Sequence, residues 1–170
     1  MNILIAYASN YGATKDIAEY MARILEREGM AVEVKEADTV SSLQPYDAII
    51  LGSGVYFSSW LPEASELLES FQEELTTKPV WLFSSGLAVI GEAKGWLFPE
   101  ALQPLAKRIK PEDIALFGGK VDAEQLSLDD WLINPSLRVE AGDYRNWAEI
   151  EAWAKSIAYY LKTENVLVHS

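Results

Sequence analysis

The chain contains no cysteine and a single histidine, His169, among its 170 residues. The absence of cysteine excludes disulfides, thiolate metal sites, iron–sulfur clusters and a cysteine nucleophile. With one histidine, acid–base catalysis by histidine and a multi-histidine metal site are not expected. The sequence therefore predicts neither a metal site nor a catalytic residue of its own.

Long apolar runs are also missing, and basic residues are fewer than acidic ones. The longest apolar runs fall far short of a membrane span, and the N-terminus lacks the pattern of a signal peptide, so a cytoplasmic location is expected. The 14 basic residues against 26 acidic ones give a net charge of −12. Such a charge predicts repulsion of nucleic acid and of anionic lipid, and it favours basic partners. The oligomeric state is not indicated.

What the chain does have is a regular alternation of apolar strands with amphipathic helices. Its length is typical of one domain, here residues 1–170, with a long loop at about 120–145. The alternation predicts a doubly wound α/β fold with a parallel five-stranded sheet and helices on both faces. Strands are predicted at 1–7, 31–36, 48–51, 79–83 and 114–117, and helices at about 14–28, 62–71, 100–108 and 146–161.

The most informative segment connects the first strand to the first helix. Serine and threonine hydroxyls lie at both of its ends, and the first N–H groups of a helix have no partner within the helix. A single glycine lets the segment turn without a Cβ in the way. Because the first cation is Lys15, the segment predicts an anion site of neutral donors; a capped helix without a ligand is the alternative. The six residues are Ser9, Asn10, Tyr11, Gly12, Ala13 and Thr14.

Two further groups of candidates follow the third and fourth strands. Three aromatic residues within five positions are unusual in a solvated loop, and flat apolar surfaces can stack on a planar ring. Tyr56 is the first candidate for stacking and Trp60 the second, with packing under the following helix as the alternative. The small residues after the fourth strand allow close approach of a ligand. The candidates are Ser53, Gly54, Val55, Tyr56, Phe57 and Trp60 in one loop, and Ser84, Ser85 and Gly86 in the other.

The segment between the first strand and the first helix, Ser9–Thr14, resembles the phosphate loop of flavodoxins, usually written Thr/Ser-x-Thr-Gly-x-Thr. Ser9, Gly12 and Thr14 match it, and Tyr11 stands where a hydroxyl-bearing residue is usual. The resemblance implies strand order 2-1-3-4-5 and FMN as the cofactor, with its phosphate on the first loop and its ring between the other two. It also implies that an aromatic residue covers one face of the flavin, and that Gly54 would permit a peptide flip towards flavin N5.

The segment from Gly142 to Ala154 resembles the end of flavodoxin-domain proteins related to menaquinone-dependent protoporphyrinogen oxidase. The resemblance implies an FMN-binding redox protein, either an electron carrier or a small flavin-dependent oxidoreductase such as a protoporphyrinogen oxidase-like enzyme. Its partner would be a redox protein or a small redox substrate. In the oxidase branch the long insertion is associated with membrane or quinone access. Membrane docking is not expected here, because that loop carries Asp122, Glu124, Asp129 and Asp130.

Two other classes share the predicted architecture. A signalling receiver needs an acceptor aspartate at the end of the third strand, where this chain has Gly52 and Ser53, so this class is disfavoured. A cofactor-free protein-interaction module stays open as the alternative to a flavoprotein, and colour in the purified protein would separate the two.

Overall fold

The computed structural model describes residues 1–86, 98–122, 124 and 141–168, with side chains described as far as residue 164. Within these residues the central sheet is parallel, and its strands lie in the order β2-β1-β3-β5-β6. The predicted doubly wound α/β fold with strand order 2-1-3-4-5 is confirmed, since β4 is only a short antiparallel addition to β3. The strands are β1 (Asn2–Ala8), β2 (Ala31–Glu36), β3 (Ala48–Tyr56), β4 (Ser59–Trp60), β5 (Val80–Gly86) and β6 (Asp113–Gly118).

Helices cover both faces of this sheet. One face packs against α1 and α5, and the other packs against α2, α3 and α4. Pro62 occupies the first turn of α2, where its missing N–H costs no hydrogen bond. The helices are α1 (Ala13–Arg27), α2 (Pro62–Ser70), α3 (Gln72–Leu75), α4 (Gln103–Ile109) and α5 (Trp147–Val168), with 3₁₀ turns at Ala37–Thr39 and Glu100–Leu102.

Burial along the strands follows their position in the sheet. β1 lies between β2 and β3, and its residues 3–8 alternate between the two buried faces. A strand with both faces covered gives an uninterrupted apolar run, which is why β1 was recognisable. β2 lies at the edge of the sheet and alternates between half-buried and exposed residues over most of its length.

The third strand is longer than predicted. Its expected end at Leu51 is wrong, because Gly52, Ser53 and Gly54 continue the pairing with neighbouring strands. A Cβ on Gly52 would lie 2.0 Å from the ring of Phe83. This glycine therefore marks close packing and not a turn. In the same way β5 continues beyond its expected end to Gly86.

The predicted long loop at about 120–145 is paired at its base. Lys120–Val121 (β7) and Gly142–Asp143 (β8) form a short antiparallel ladder. Strands of two residues are too short to show an alternating pattern, so they could not be recognised from the sequence. Three residues considered above lie outside the described residues: Asp129, Asp130 and His169. In the described part of the chain, no helix is long and apolar enough to cross a membrane.

Candidate functional site

The loop between β1 and α1, residues 9–12, leaves the end of the helix accessible. Gly12 is the N-cap residue, with φ of +89°, and it has no side chain with which to cap the helix. The hydroxyl oxygen of Ser9 accepts a hydrogen bond from the Gly12 N–H at 2.9 Å, which fixes the loop. Since the first turn of a helix carries free N–H groups and a partial positive charge, this end suits an anion.

The first loop and the end of β3 meet at the carboxyl edge of the sheet. A Cβ on Gly54 would lie 3.5 Å from the Thr14 hydroxyl oxygen and 3.0 Å from the ring of Tyr56. The rings of Tyr11 and Tyr56 lie 6.2 Å apart and are tilted by 58°. Both tyrosines are half-buried. The structure thus brings the predicted anion loop and the predicted aromatic residue together.

The turn between β3 and β4 consists of Phe57 and Ser58, and we call it the hairpin turn. Both residues have positive φ, +49° and +60°, as the central residues of a type I′ turn require. Phe57 is 58% exposed. Val55, just before the turn, is half-buried and lies close to Gly86 at the end of β5.

Trp60 packs inside the protein. Only 4% of its surface is accessible, and its ring packs edge-to-face against Phe98 at 5.5 Å. Its indole N–H donates a hydrogen bond to the Ser84 hydroxyl oxygen at 2.8 Å. A planar ligand needs an exposed ring face, so this geometry favours the packing alternative for Trp60 and leaves Tyr56 as the candidate for stacking.

The buried serines at this edge interact with the protein itself. The Ser53 hydroxyl donates to the Gly54 carbonyl oxygen at 2.8 Å and accepts from the Leu61 N–H at 3.0 Å. Ser85 is buried beside Ser84, whereas Gly86 is half-buried. Ser53 and Ser84 therefore hold the ends of β3 and β5 in place. At the end of β5, it is Gly86 that reaches the surface.

The surface on the β2 side of the first loop is acidic. A recess of about 100 Å³ is lined there by Ser9, Asn10 and the carboxylates of Glu36, Asp38 and Glu63. An anion would be repelled from this recess. The helix end is therefore the favourable side of the loop for a phosphate. Among the described residues, no cluster of acidic or histidine side chains is arranged to hold a metal ion.

Sequence reasoning missed a buried cation beside this loop. The Arg145 side chain is 5% exposed, and its Nη1 donates to a carboxylate oxygen of Asp16 at 3.0 Å and to the Ala13 carbonyl oxygen at 3.3 Å. Its Nε and Nη2 donate to Asp143 at 2.8 and 2.7 Å. These bonds lower the pKa of Asp143 and raise that of Arg145. About 130 residues separate Arg145 from α1, so no local spacing could reveal the contact.

The model of the flavodoxin domain family matches residues 4–133. The chain belongs to this family. The flavodoxin of Maridesulfovibrio salexigens is 27% identical over 169 residues, which cover 91% of this chain and 95% of the relative. Members of the flavodoxin family bind FMN.

Solved structures share the flavodoxin fold. Flavodoxin 2 of Bacillus cereus superposes with a TM-score of 0.62 at 24% identity, and an archaeal flavodoxin with 0.60 at 18% identity; each match covers 95% of this chain and 99% of the other. The rubredoxin oxygen:oxidoreductase of Desulfovibrio gigas superposes with a TM-score of 0.64 at 17% identity, over 95% of this chain and 36% of the larger one. None of these relatives supports the protoporphyrinogen oxidase branch.

The residues at this edge fit FMN. The donors at the α1 end are the half-buried Ser9 hydroxyl and backbone N–H groups, which suit a phosphate, whereas the Thr14 side chain is buried. Gly12 leaves space above the loop, because a Cβ there would have no atom within 4 Å. The half-buried rings of Tyr11 and Tyr56 supply flat apolar surface next to those donors.

Proposed function

We propose that this chain is an FMN-binding electron carrier of one domain. The observation that carries the proposal is the open N-terminus of α1, with neutral donors, directly beside the paired rings of Tyr11 and Tyr56. Membership of the flavodoxin family supports the same assignment.

The phosphate of FMN would be held by residues 9–14. Its ring would lie against Tyr56, between the end of β3 and Gly86. Phe57 and Val55 would border the ring on the hairpin side. Ser53, Trp60, Ser84 and Ser85 would act from within, by fixing the two strand ends that flank the ring. When bound, FMN supplies reversible electron transfer, and the protein supplies binding, orientation and electrostatics.

The charge of the chain would tune such a site. A net charge of −12 disfavours any further negative charge at the carboxyl edge. Each carboxylate about 10 Å away costs about 0.4 kcal/mol in a watery medium by Coulomb's law. Several carboxylates together would therefore lower the reduction potential of the bound cofactor, and they would attract a redox partner protein with a basic surface.

Cofactor loading is the experiment that tests this function. After incubation with FMN and desalting, the protein is expected to retain an absorption band at about 450 nm, typical of a bound flavin. A colourless protein that also leaves FMN fluorescence unquenched would contradict the proposal and support a cofactor-free interaction module. Direct oxidation of the loaded, reduced protein by a small substrate at catalytic rates would indicate an enzyme instead of a carrier.

The phosphate assignment is tested by comparing FMN with riboflavin, which lacks the phosphate. We expect Ser9→Ala combined with Thr14→Ala to weaken FMN binding at least tenfold and to change riboflavin binding much less, because the phosphate donors and the Ser9–Gly12 hydrogen bond that fixes the loop are both lost at the phosphate end of the site. Ser42→Ala combined with Thr76→Ala is the matched control, since both hydroxyls lie before strands, at the amino edge of the sheet. An unchanged dissociation constant for FMN would contradict the assignment.

A further inference from the structure

Arg145 connects three parts of the chain at the carboxyl edge. Its guanidinium donates to Asp16 and to the Ala13 carbonyl oxygen in the first turn of α1, and to Asp143 in β8. The same group lies over the ring of Trp147, 4.6 Å from its centre, where α5 begins. Four hydrogen bonds to oxygen and an aromatic face leave the side chain only 5% exposed.

The segment that carries Arg145 is itself fixed. The Tyr144 N–H donates to the Gly119 carbonyl oxygen at 2.9 Å. A Cβ on Gly118 would lie 2.0 Å from the Tyr144 carbonyl oxygen, so the backbone of this segment packs directly on the end of β6. Gly119 in turn donates to Gly86 at 3.1 Å. Arg145 therefore reaches α1 from a segment that is bonded to and packed on the end of β6.

The charges around this arginine determine what it can do for an anion. Asp16 lies in the first turn of α1, at the same end of the helix as the proposed phosphate position. A carboxylate there interacts well with the helix dipole, but it repels a second anion at the same end. Arg145 is paired with this carboxylate and with Asp143. Without its charge, Asp16 and Asp143 would both lose their hydrogen-bonded cation, although Lys120 would still act on Asp143 electrostatically.

We propose that Arg145 is a positioning residue that sets the affinity of the β1–α1 loop for the phosphate of its ligand. It compensates Asp16 and Asp143, and it holds the first turn of α1 through the Ala13 carbonyl oxygen. The inference rests on the proposed function, in which that ligand is FMN. Lysine could not replace it fully, because an ammonium group cannot make the two parallel bonds to Asp143 and reach α1 as well.

The test measures dissociation constants for FMN and riboflavin at low salt with the full chain. For Arg145→Gln we expect FMN binding to weaken at least tenfold and riboflavin binding to change less than twofold, since riboflavin has no phosphate to repel. Arg145→Lys should recover part of the loss. Arg108→Gln is the matched control, because Arg108 pairs with Glu73 on the face formed by α3 and α4, and it should change neither constant.

Asp16→Asn gives an independent measurement if the arginine variants fold poorly. Asp16 is 54% exposed, so its replacement should be tolerated. We expect FMN binding to tighten about two- to threefold, as a factor of this size corresponds to one partly screened charge. In Arg145→Gln, added Asp16→Asn should restore part of the lost FMN affinity.

The outcomes separate this inference from the function on which it rests. A wild-type protein that binds FMN more tightly than riboflavin supports the proposed function. If Arg145→Gln then weakens both ligands equally, Arg145 has a structural role only and the inference is overturned. The inference also fails if FMN binding is unchanged in Arg145→Gln or weakened in Asp16→Asn. A wild-type protein that binds neither ligand would overturn the proposed function and this inference with it.

Discussion

The β1–α1 loop and the hairpin turn solve the same backbone problem with different residues. Both need positive φ, which is +89° at Gly12, +49° at Phe57 and +60° at Ser58. Glycine adopts this conformation without strain, whereas an ordinary residue pays about 1–2 kcal/mol. The loop proposed to bind phosphate is thus relaxed, and the turn beside it is strained.

The two loops are also held in different ways. The hairpin turn is held by its own ladder, β3 with β4, and by the Ser53 hydroxyl that accepts the Leu61 N–H. The β1–α1 loop is held by its own Ser9 hydroxyl, and the helix turn that follows it is held from outside by Arg145, from the segment before α5. Strain persists only where the surroundings fix the conformation, and here the strained turn presents the exposed ring of Phe57. Residues that hold the two loops in place are thus different from those whose exposed groups could contact a ligand.

Trp60→Phe should give the largest loss of stability. It removes the indole N–H that binds the buried Ser84 hydroxyl and leaves a cavity beside Phe98. We expect the free energy of unfolding in urea to fall by about 2 kcal/mol. FMN binding should change less than threefold, whereas Tyr56→Leu should weaken it more than fivefold. The reverse order of the two affinities would return Trp60 to the stacking position.

Gly12→Ala should have the next largest effect. A Cβ at this position has space, so the expected loss of about 1–2 kcal/mol in the free energy of unfolding comes from backbone strain alone. Gly29→Ala is a matched control, with the same φ of +89° and the same free space at the other end of α1. Both variants should lose similar stability, but only Gly12→Ala should weaken FMN binding. If the Gly12→Ala and Gly29→Ala variants bound FMN with the same affinity, Gly12 would not be part of the binding site.

The glycines at the carboxyl edge illustrate what could and could not be predicted from the sequence. Gly12 lies between an apolar strand and a helix with a clear apolar face, so its role in the turn was predictable from local rules. The third strand is predicted to end just before Gly52, because the packing of this glycine against Phe83 in β5 is not visible in the sequence. Trp60 was ambiguous for the same reason, because its burial depends on Phe98 and Ser84.

The fold was therefore predictable to a greater extent than the site. Alternation of strands and helices is a local pattern, and it identified the sheet and the loops at its carboxyl edge. The ion pair of Arg145 with Asp16 depends on a contact over 129 positions in the chain. The chemistry of the site residues stays a prediction, as does the extent of the domain.

Replacing the hairpin turn by Asn-Gly should produce a smaller effect of opposite sign. Phe57→Asn with Ser58→Gly introduces the pair that type I′ turns prefer, and Phe57 loses little packing because it is 58% exposed. We expect the free energy of unfolding to rise by about 1 kcal/mol. If the exposed ring contacts ligand or partner, electron transfer should slow while stability rises. A loss of stability would show that the turn is not strained.

The smallest effect concerns Asp143, which pairs with the arginine that holds the first turn of α1. Arg145 lowers the pKa of Asp143 below its ordinary value of 3.8 through hydrogen bonds. A carboxyl group with a lowered pKa in the folded state stabilises that state above the unfolded-state pKa, and the contribution is lost as the pH falls through the folded-state pKa. Asp143→Asn should therefore be less stable than wild type at pH 7, and the difference should shrink below pH 3.8. Urea unfolding of both proteins from pH 7 to pH 2.5 measures this difference in the free energy of unfolding. A difference that stays constant over this range would show that the charge of Asp143 does not stabilise the folded protein.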